Sequence, residues 1–159
     1  TEALREVLER AGIQARIPSS ILTAMWEKFL FVVSMGGVGA VSRVPVGVTR
    51  AMPGTRAMLE SSMREIHDVG RAHGIALPDD AVARAMVLID GLAFDGTTSM
   101  QRDIEGGRRS ELDAWCGAVV RLGRECGVAT PVNEFCYASL LPQELRARGE
   151  WTGFRDYQA

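Results

Sequence analysis

The sequence predicts an all-α fold, a helical bundle preceded by a short segment of different character. Apolar residues recur at intervals of three and four over most of the 159 residues, which is the periodicity of amphipathic helices. Serine, proline or aspartate opens several of these segments, and glycine closes others. Only Ile13 to Ile17 alternates apolar and polar residues, as a strand does. Because one strand cannot form a sheet alone, we expect residues 1–18 to be the tail of an upstream α/β domain and residues 19–159 to form a separate helical domain.

The predicted elements follow from local signals along the chain. A first helix over residues 2–11 stops at Gly12, and the short strand comes next. Ser19 or Ser20 caps a second helix, which we expect to be broken or kinked at the glycine-rich residues 36–39. A helical turn and a loop over residues 44–47 are predicted next. Helices are then predicted over 55–73, from 78 onward, over 97–105 and over 110–124. The last helix begins at 131, and it can extend past Pro142 only with a kink.

The composition excludes several classes of function. The chain is 47% hydrophobic and 24% charged, with a net charge of −2 and no basic run, so we expect no nucleic-acid partner. The longest apolar run, residues 29–35, is too short to span a bilayer, so we expect no membrane partner. Three cysteines without CxxC spacing indicate free thiols in a reducing cytoplasm, and the two histidines lack the spacing of metal ligands. The chain opens with Thr1 inside a predicted helix, which suggests a piece of a longer protein.

Lys28 is the only lysine among the 18 basic residues of the chain. On a helix it shares its side with residues that are all apolar, namely Ile21, Ala24, Met25, Phe31, Val32 and Met35. A buried lysine can lose its proton near neutral pH, whereas an arginine stays charged. Lys28 is therefore a candidate for proton transfer. The alternative is a lysine that reaches solvent from a half-buried helix.

Ser99 and Glu111 are the other candidate site residues. Ser99 could bond a ligand, or it could cap the helix predicted over residues 97–105. Glu111 could aim a carboxylate into a cleft, or it could sit in the first turn of a helix whose dipole favours an acid there. In the second case Ser110 and Asp113 would form a pair like a capping box. The glycine-rich residues 36–39 follow a helix and not a strand, so they are not a dinucleotide-binding fingerprint.

Taken together, these groups resemble the C-terminal domain of ketopantoate reductase (2-dehydropantoate 2-reductase). The resemblance covers nearly the whole chain up to about Leu141. It rests on four blocks: Ala24-Met25-Trp26-Glu27-Lys28-Phe29, residues 98–108, Ser110-Glu111-Leu112-Asp113 with the following residues 117–123, and residues 127–133. It implies a helical bundle of the kind found in the C-terminal domain of 6-phosphogluconate dehydrogenase, placed after a Rossmann domain.

The resemblance also implies roles for the candidate residues. Lys28 matches the catalytic lysine, which protonates the keto oxygen of ketopantoate while NADPH delivers hydride to the carbon. Ser99 matches the serine that binds the substrate, and Glu111 matches the acid that orients substrate and cofactor. NADPH would be bound mainly by the upstream Rossmann domain. The reaction would form pantoate for pantothenate biosynthesis in the cytoplasm, with a homodimer as a candidate assembly.

The chain departs from the family pattern beside Lys28. The family usually carries asparagines four and eight residues after the lysine, where this sequence has Val32 and Gly36. A third asparagine in the loop beyond is replaced near Val46 or Gly47. Polar groups that contact a hydroxy acid discriminate strongly between substrates, so their loss leaves the substrate open. Two alternatives remain: a paralogue that reduces a different 2-oxo acid, and a non-catalytic helical module for dimerisation or binding.

Overall fold

The computed structural model describes residues 1–150, and in that part of the chain all regular secondary structure is helical. Eight helices follow one another: α1 (Glu2–Arg10), α2 (Ile21–Ser42), α3 (Val46–Ala51), α4 (Pro53–Ala72), α5 (Ala81–Asp90), α6 (Ser99–Glu105), α7 (Cys116–Cys126) and α8 (Pro131–Arg148). The predicted all-α class is confirmed. Residues 151–159, which the predicted helical domain also includes, lie outside the described residues.

The predicted strand at Ile13 to Ile17 was wrong. These residues form no strand, because no second strand exists within residues 1–150 to pair with them. The helix before them ends at Gly12 as predicted. Gly12 has a φ of 78°, and the amide of Ile13 donates to the carbonyl of Leu8 at 2.9 Å. No residue of α1 is buried, and the division of the chain at residue 18 stays a prediction.

Helix α2 is the central element and packs against five other helices, α3, α4, α5, α6 and α8. Of the two serines predicted as candidate caps, Ser20 is the one that caps α2, since its hydroxyl accepts the amide of Thr23 at 3.2 Å. The break predicted at residues 36–39 was wrong, because α2 continues to Ser42 and includes the helical turn predicted after them. A β-carbon at Gly36 would lie 2.8 Å from the Trp115 ring, so the absence of side chains here allows close packing. That packing offsets the helix-propensity cost of glycine, about 1 kcal/mol per residue.

Helix α2 is longer than the apolar run from which a membrane span was judged in the sequence. The uninterrupted helix of 22 residues is long and apolar enough to cross a bilayer by length and composition alone, unlike the short apolar run in the sequence. However, its middle residues are buried inside the bundle, including Leu30, Val33 and Val38. The contacts with five helices account for the apolar composition of α2 as that of a core helix.

A buried carboxylate on α4 holds the start of α8. Glu65 accepts the amide of Val132 at 2.7 Å and the amide of Asn133 at 2.9 Å. These are among the N–H groups that a helix leaves open at its beginning, and no side chain at the N-cap residue Thr130 satisfies them. The Asn133 side chain also donates to Glu65 at 2.6 Å and accepts from the buried Ser62 hydroxyl. Helices α4 and α8 are therefore joined by buried polar contacts.

The segment before α7 also differs from the prediction. A helix was predicted from Ser110, with Ser110 and Asp113 as a capping pair, but α7 begins at Cys116. The Ser110 amide donates to Glu144 Oε2 of α8 at 3.0 Å, and the Ser110 hydroxyl donates to the same oxygen. Asp113 accepts the hydroxyl of Tyr137, also on α8, at 2.9 Å. Both ends of the segment are thus bound to α8, and neither side chain serves as the predicted cap.

Glu144 is charged although it is only 1% exposed. Besides Ser110, it accepts a hydrogen bond from Arg148 Nε at 2.6 Å. Burial by itself raises the pKa of a carboxyl group, but the donors on Ser110 and Arg148 outweigh burial and hold the pKa of Glu144 below its ordinary value of 4.5. The ionised form of Glu144 therefore stabilises the folded chain.

The three cysteines are free thiols, as predicted. Cys116 and Cys136 are buried, and both sulfurs lie against the bare backbone of Gly37. Burial raises the pKa of Cys136 to about 12 and raises the pKa of Cys116 as well. Both groups are therefore neutral thiols that contribute to packing.

We expect Glu65→Gln to lower the free energy of unfolding by about 2–3 kcal/mol, because the amide replaces a carboxylate that accepts several buried N–H groups. Urea denaturation followed by circular dichroism measures the loss. Glu125→Gln, at an exposed position on α7, is the matched control and should stay within about 0.5 kcal/mol of wild type. Equal effects of the two substitutions would contradict the role given to Glu65.

The stability provided by Glu144 should disappear in acid. Its pKa is lower in the folded chain than in the unfolded chain, so its contribution is complete above the unfolded value of 4.5 and is lost as the pH falls through the folded value. Wild type should be more stable than Glu144→Gln at pH 7, and the difference should shrink below about pH 4.5. Urea denaturation of both proteins between pH 7 and pH values below 4.5 measures this difference in stability. A difference that is constant with pH would contradict the ionised state assigned to Glu144.

Candidate functional site

A groove of about 330 Å³ lies between α2 and the segment that leads into α6. One wall is formed by residues spaced along one face of α2, namely Phe31, Val32 and Met35. The other wall is formed by Leu92, Ala93, residues 96–99 and Trp115. Its volume is at the lower end of the range for small-molecule sites, about 300–1,000 Å³.

Lys28 lies one helical turn from this groove. It precedes Phe31 by three residues and Val32 by four, so the three share a face of α2. The side chain of Lys28 is exposed, and the apolar neighbours Ile21 and Met25 on the same face are 62% and 61% exposed. The apolar face predicted around Lys28 is therefore open on the side of Ile21 and Met25, whereas its residues Phe31, Val32 and Met35 are partly buried against the core.

Glu27, the acid next to Lys28 in sequence, points to another part of the surface. It accepts a hydrogen bond from Arg84 of α5. Lys28 has no ion pair with an acid among the residues that the structure describes. The ammonium group is thus free of an ion pair with the described acids, on the turn of α2 that precedes the groove.

Ser99 lines the groove directly. The alternative that Ser99 caps α6 was wrong, because Thr98 is the N-cap and its hydroxyl accepts the amide of Gln101 at 3.1 Å. Ser99 is the first residue of α6 and is exposed. Its hydroxyl therefore is not required to start the helix and can contact a ligand.

Glu111 is exposed in the irregular segment between Ser110 and α7. Its carbonyl accepts the amide of Trp115, a residue of the groove wall, at 2.9 Å. The segment is held by Glu144 at Ser110 and by Tyr137 and Arg121 at Asp113. The hydroxyl of Tyr137 and then the Arg121 guanidinium lower the pKa of Asp113, so this anchor is ionised.

The structure thus places Ser99 by direct contact, Lys28 by helical register and Glu111 by a backbone hydrogen bond. Ser99 forms part of the groove, Lys28 lies one turn along its α2 wall, and Glu111 lies one backbone hydrogen bond from its Trp115 wall. That the three side-chain ends meet around one ligand stays a prediction.

Sequence reasoning missed the part played by Trp115 and Gly36. The indole of Trp115 approaches the backbone of α2 at Gly36, and this contact shapes one side of the groove. The only signal in the sequence was a glycine run inside a periodic helical segment, which was taken as a helix break.

The glycine-rich residues 36–39 are buried inside α2. A phosphate-binding loop must present its backbone N–H groups to the ligand, whereas these groups lie in the middle of a helix. These residues therefore do not fit the pyrophosphate of a dinucleotide, in agreement with the prediction from their context.

Comparison with known proteins agrees with the fold and with the blocks around the groove. Residues 20–144 match the family model described as the C-terminal domain of ketopantoate reductase PanE/ApbA. The 2-dehydropantoate 2-reductase of Pyrobaculum aerophilum is 28% identical over 141 residues, which are 89% of this chain and 50% of that protein. The enzyme of the same name from Caulobacter vibrioides is 31% identical over 139 residues, which are 87% of this chain and 47% of that protein.

A solved structure shows the same arrangement of helices. The crystal structure of 2-dehydropantoate 2-reductase from Methylococcus capsulatus superposes with a TM-score of 0.82 and 28% identity, covering 92% of this chain and 46% of that one. The chain thus spans about half the length of the curated relatives it matches. The family model covers most of the chain and coincides with the helical bundle that forms the groove. The chain therefore belongs to the ketopantoate reductase family and corresponds to its C-terminal helical domain.

Proposed function

We propose that this chain is the substrate-binding and catalytic half of an NADPH-dependent 2-oxo acid reductase. In the complete protein an upstream Rossmann domain would bind most of the cofactor and would cover the groove. The observation that carries the proposal is the groove itself, with the hydroxyl of Ser99 on its wall and the ammonium of Lys28 one turn away. Family membership and the half-length match to 2-dehydropantoate 2-reductases support it.

The chemistry assigned to Lys28 is proton donation. NADPH, when bound, supplies the hydride that adds to the keto carbon of the substrate. The carbonyl oxygen gains negative charge as this happens, so an ammonium group beside it stabilises the transition state and then gives up a proton. The reaction leaves a 2-hydroxy acid and an uncharged Lys28 side chain, which regains its proton from solvent.

Ser99 and Glu111 are assigned to positioning. The Ser99 hydroxyl would donate a hydrogen bond to the substrate, whose charged end is a carboxylate. Glu111 would orient substrate and cofactor, and a carboxylate near an ammonium favours its charged form. The anchoring of the segment at Ser110 and Asp113 supports this role, because a positioning group needs a rigid backbone.

The exposed surroundings of Lys28 support a complete protein in which a second domain covers this face. Ile21 and Met25 beside it are more than half exposed, an unfavourable state for apolar side chains unless another surface covers them. Docking of the upstream domain on this face would remove water from Lys28 and from the groove. We propose the same cytoplasmic location that the free thiols indicated.

A second candidate function is a non-catalytic module that associates through its helices. The observation in its favour is the apolar surface on α5, where Val87 is 71% exposed and Leu88 is 61% exposed. A homodimer could bury this surface. The two functions are compatible if α5 mediates association while the groove performs the reaction.

Replacement of Lys28 tests the catalytic proposal. In the full-length protein, Lys28→Arg and Lys28→Ala should each lower kcat by a factor of about 10² to 10⁴, because arginine keeps the charge but does not donate a proton near neutral pH. The oxidation of NADPH at saturating 2-oxo acid measures kcat.

Arg64→Lys, on an exposed part of α4 outside the groove, serves as the control and should retain wild-type kcat. A Lys28→Arg enzyme within about threefold of wild type would remove the general-acid role.

A further inference from the structure

We propose that the groove selects 2-oxo acids whose side group is apolar, and that Trp115 sets the size of that group. This inference rests on the proposed function, since it names the substrate class for the same site. The inference goes beyond the proposed function, because reduction of a 2-oxo acid does not determine which side group the site accepts.

The two threonine hydroxyls of the groove each accept a hydrogen bond from the protein. The Thr97 hydroxyl accepts a hydrogen bond from Arg102 Nη1 at 2.9 Å. The Thr98 hydroxyl accepts the amide of Gln101 at the start of α6. Each threonine hydroxyl is thus held in place by a donor from the protein and keeps its own O–H, whereas the Ser99 hydroxyl has no hydrogen bond within the described part of the chain.

The backbone carbonyls along this wall are engaged as well. The carbonyl of Leu92 accepts from Arg50 Nη1 at 2.8 Å, and that of Ala93 accepts the amide of Gly96 at 3.1 Å. The carbonyl of Gly96 in turn accepts the amide of Val46 at 2.9 Å. These carbonyls are bound within the protein, and the side chains of Leu92, Ala93 and Trp115 give this wall an apolar surface.

The opposite wall contributes only apolar side chains, those of Phe31, Val32 and Met35. A substrate whose carboxylate and keto groups lie toward Ser99 and Lys28 would place its side group against these residues. A hydroxyl on that side group would lose its water without gaining a partner, which costs about 1–3 kcal/mol. An apolar side group of the same shape avoids this loss.

Trp115 limits the space in the groove beside Gly36. Its ring lies against α2 where a β-carbon on Gly36 would be only 2.8 Å from Cζ3 and 3.0 Å from Cε3. The indole can take this position because Gly36 has no side chain. Replacement of Trp115 by a smaller residue would open the groove toward Gly36 and Met100, which also borders that space.

A matched pair of substrates tests the substrate class. 3,3-Dimethyl-2-oxobutanoate differs from ketopantoate only by lacking the terminal hydroxyl group. With the full-length protein and NADPH, we expect kcat/KM for the dimethyl acid to exceed that for ketopantoate by about tenfold, the effect of one unpaired hydroxyl. Equal rates, or faster reduction of ketopantoate, would overturn the inference and leave the proposed reductase intact. Reduction of neither compound, nor of any other 2-oxo acid offered, would overturn the proposed function and this inference with it.

Substitution of Trp115 tests its role in setting the size limit. Trp115→Leu should raise kcat/KM for the larger phenylpyruvate, relative to the dimethyl acid, by about tenfold or more, mainly through KM. Gly36→Ala should weaken binding of both acids because its new methyl group meets the indole, and Trp115→Leu in the same protein should restore it. An unchanged substrate ratio in Trp115→Leu would overturn the assignment of Trp115.

Binding without turnover provides an independent measurement. Addition of the dimethyl acid to the full-length protein should quench tryptophan fluorescence, and Trp115→Phe should abolish that change. Trp26→Phe is the control, because Trp26 packs against Gly70 and Leu77 away from the groove and its loss should leave the quenching in place. Quenching that persists in Trp115→Phe would contradict the location of the side group.

Discussion

The close approach of other helices to the bare backbone of α2 is the constraint on which the rest of the structure depends. At Gly36, Gly37 and Gly39 a β-carbon would lie 2.6–3.0 Å from atoms of Trp115, Cys116 and Gln101. These distances are below ordinary van der Waals contact, so a β-carbon at these positions would require the neighbouring side chains to move. Because α2 touches five helices, the positions of the others are set largely by how near they can come to it.

The same contacts build the groove. Gln101 lies against Gly39, donates to the carbonyl of Val44 at 3.2 Å and so holds α6, whose first residue is Ser99. Trp115 lies against Gly36 and forms the other end of the wall. The glycine run that resembles a phosphate loop in the sequence thus acts as a packing surface, and the site depends on it through its neighbours.

Buried carboxylates on α4 and α8 add to this framework. Glu65 binds the first amides of α8, and Glu144 of the same helix binds Ser110. One consequence is structural, because α8 is joined to α4 and to the segment before α7. The other concerns the groove, because that segment carries the candidate Glu111 and ends at Trp115, which lines the groove. Under the proposed function, the exposed residues around Lys28 are where a nucleotide-binding domain would complete the site.

The sequence alone determined the helical class, a serine cap at residue 19 or 20, the stop at Gly12, the free thiols and the candidates Lys28, Ser99 and Glu111. These features depend on local periodicity, on capping chemistry and on short blocks of residues, all of which are readable along the chain. Only the tertiary structure decided that α2 continues through its glycines, that Ser110 binds Glu144 instead of opening a helix, and that Ile13 to Ile17 forms no strand. It also decided that Trp115 lines the groove. Each of these outcomes depends on a partner distant in sequence, or on the lack of one, and local propensity contains no information about such partners.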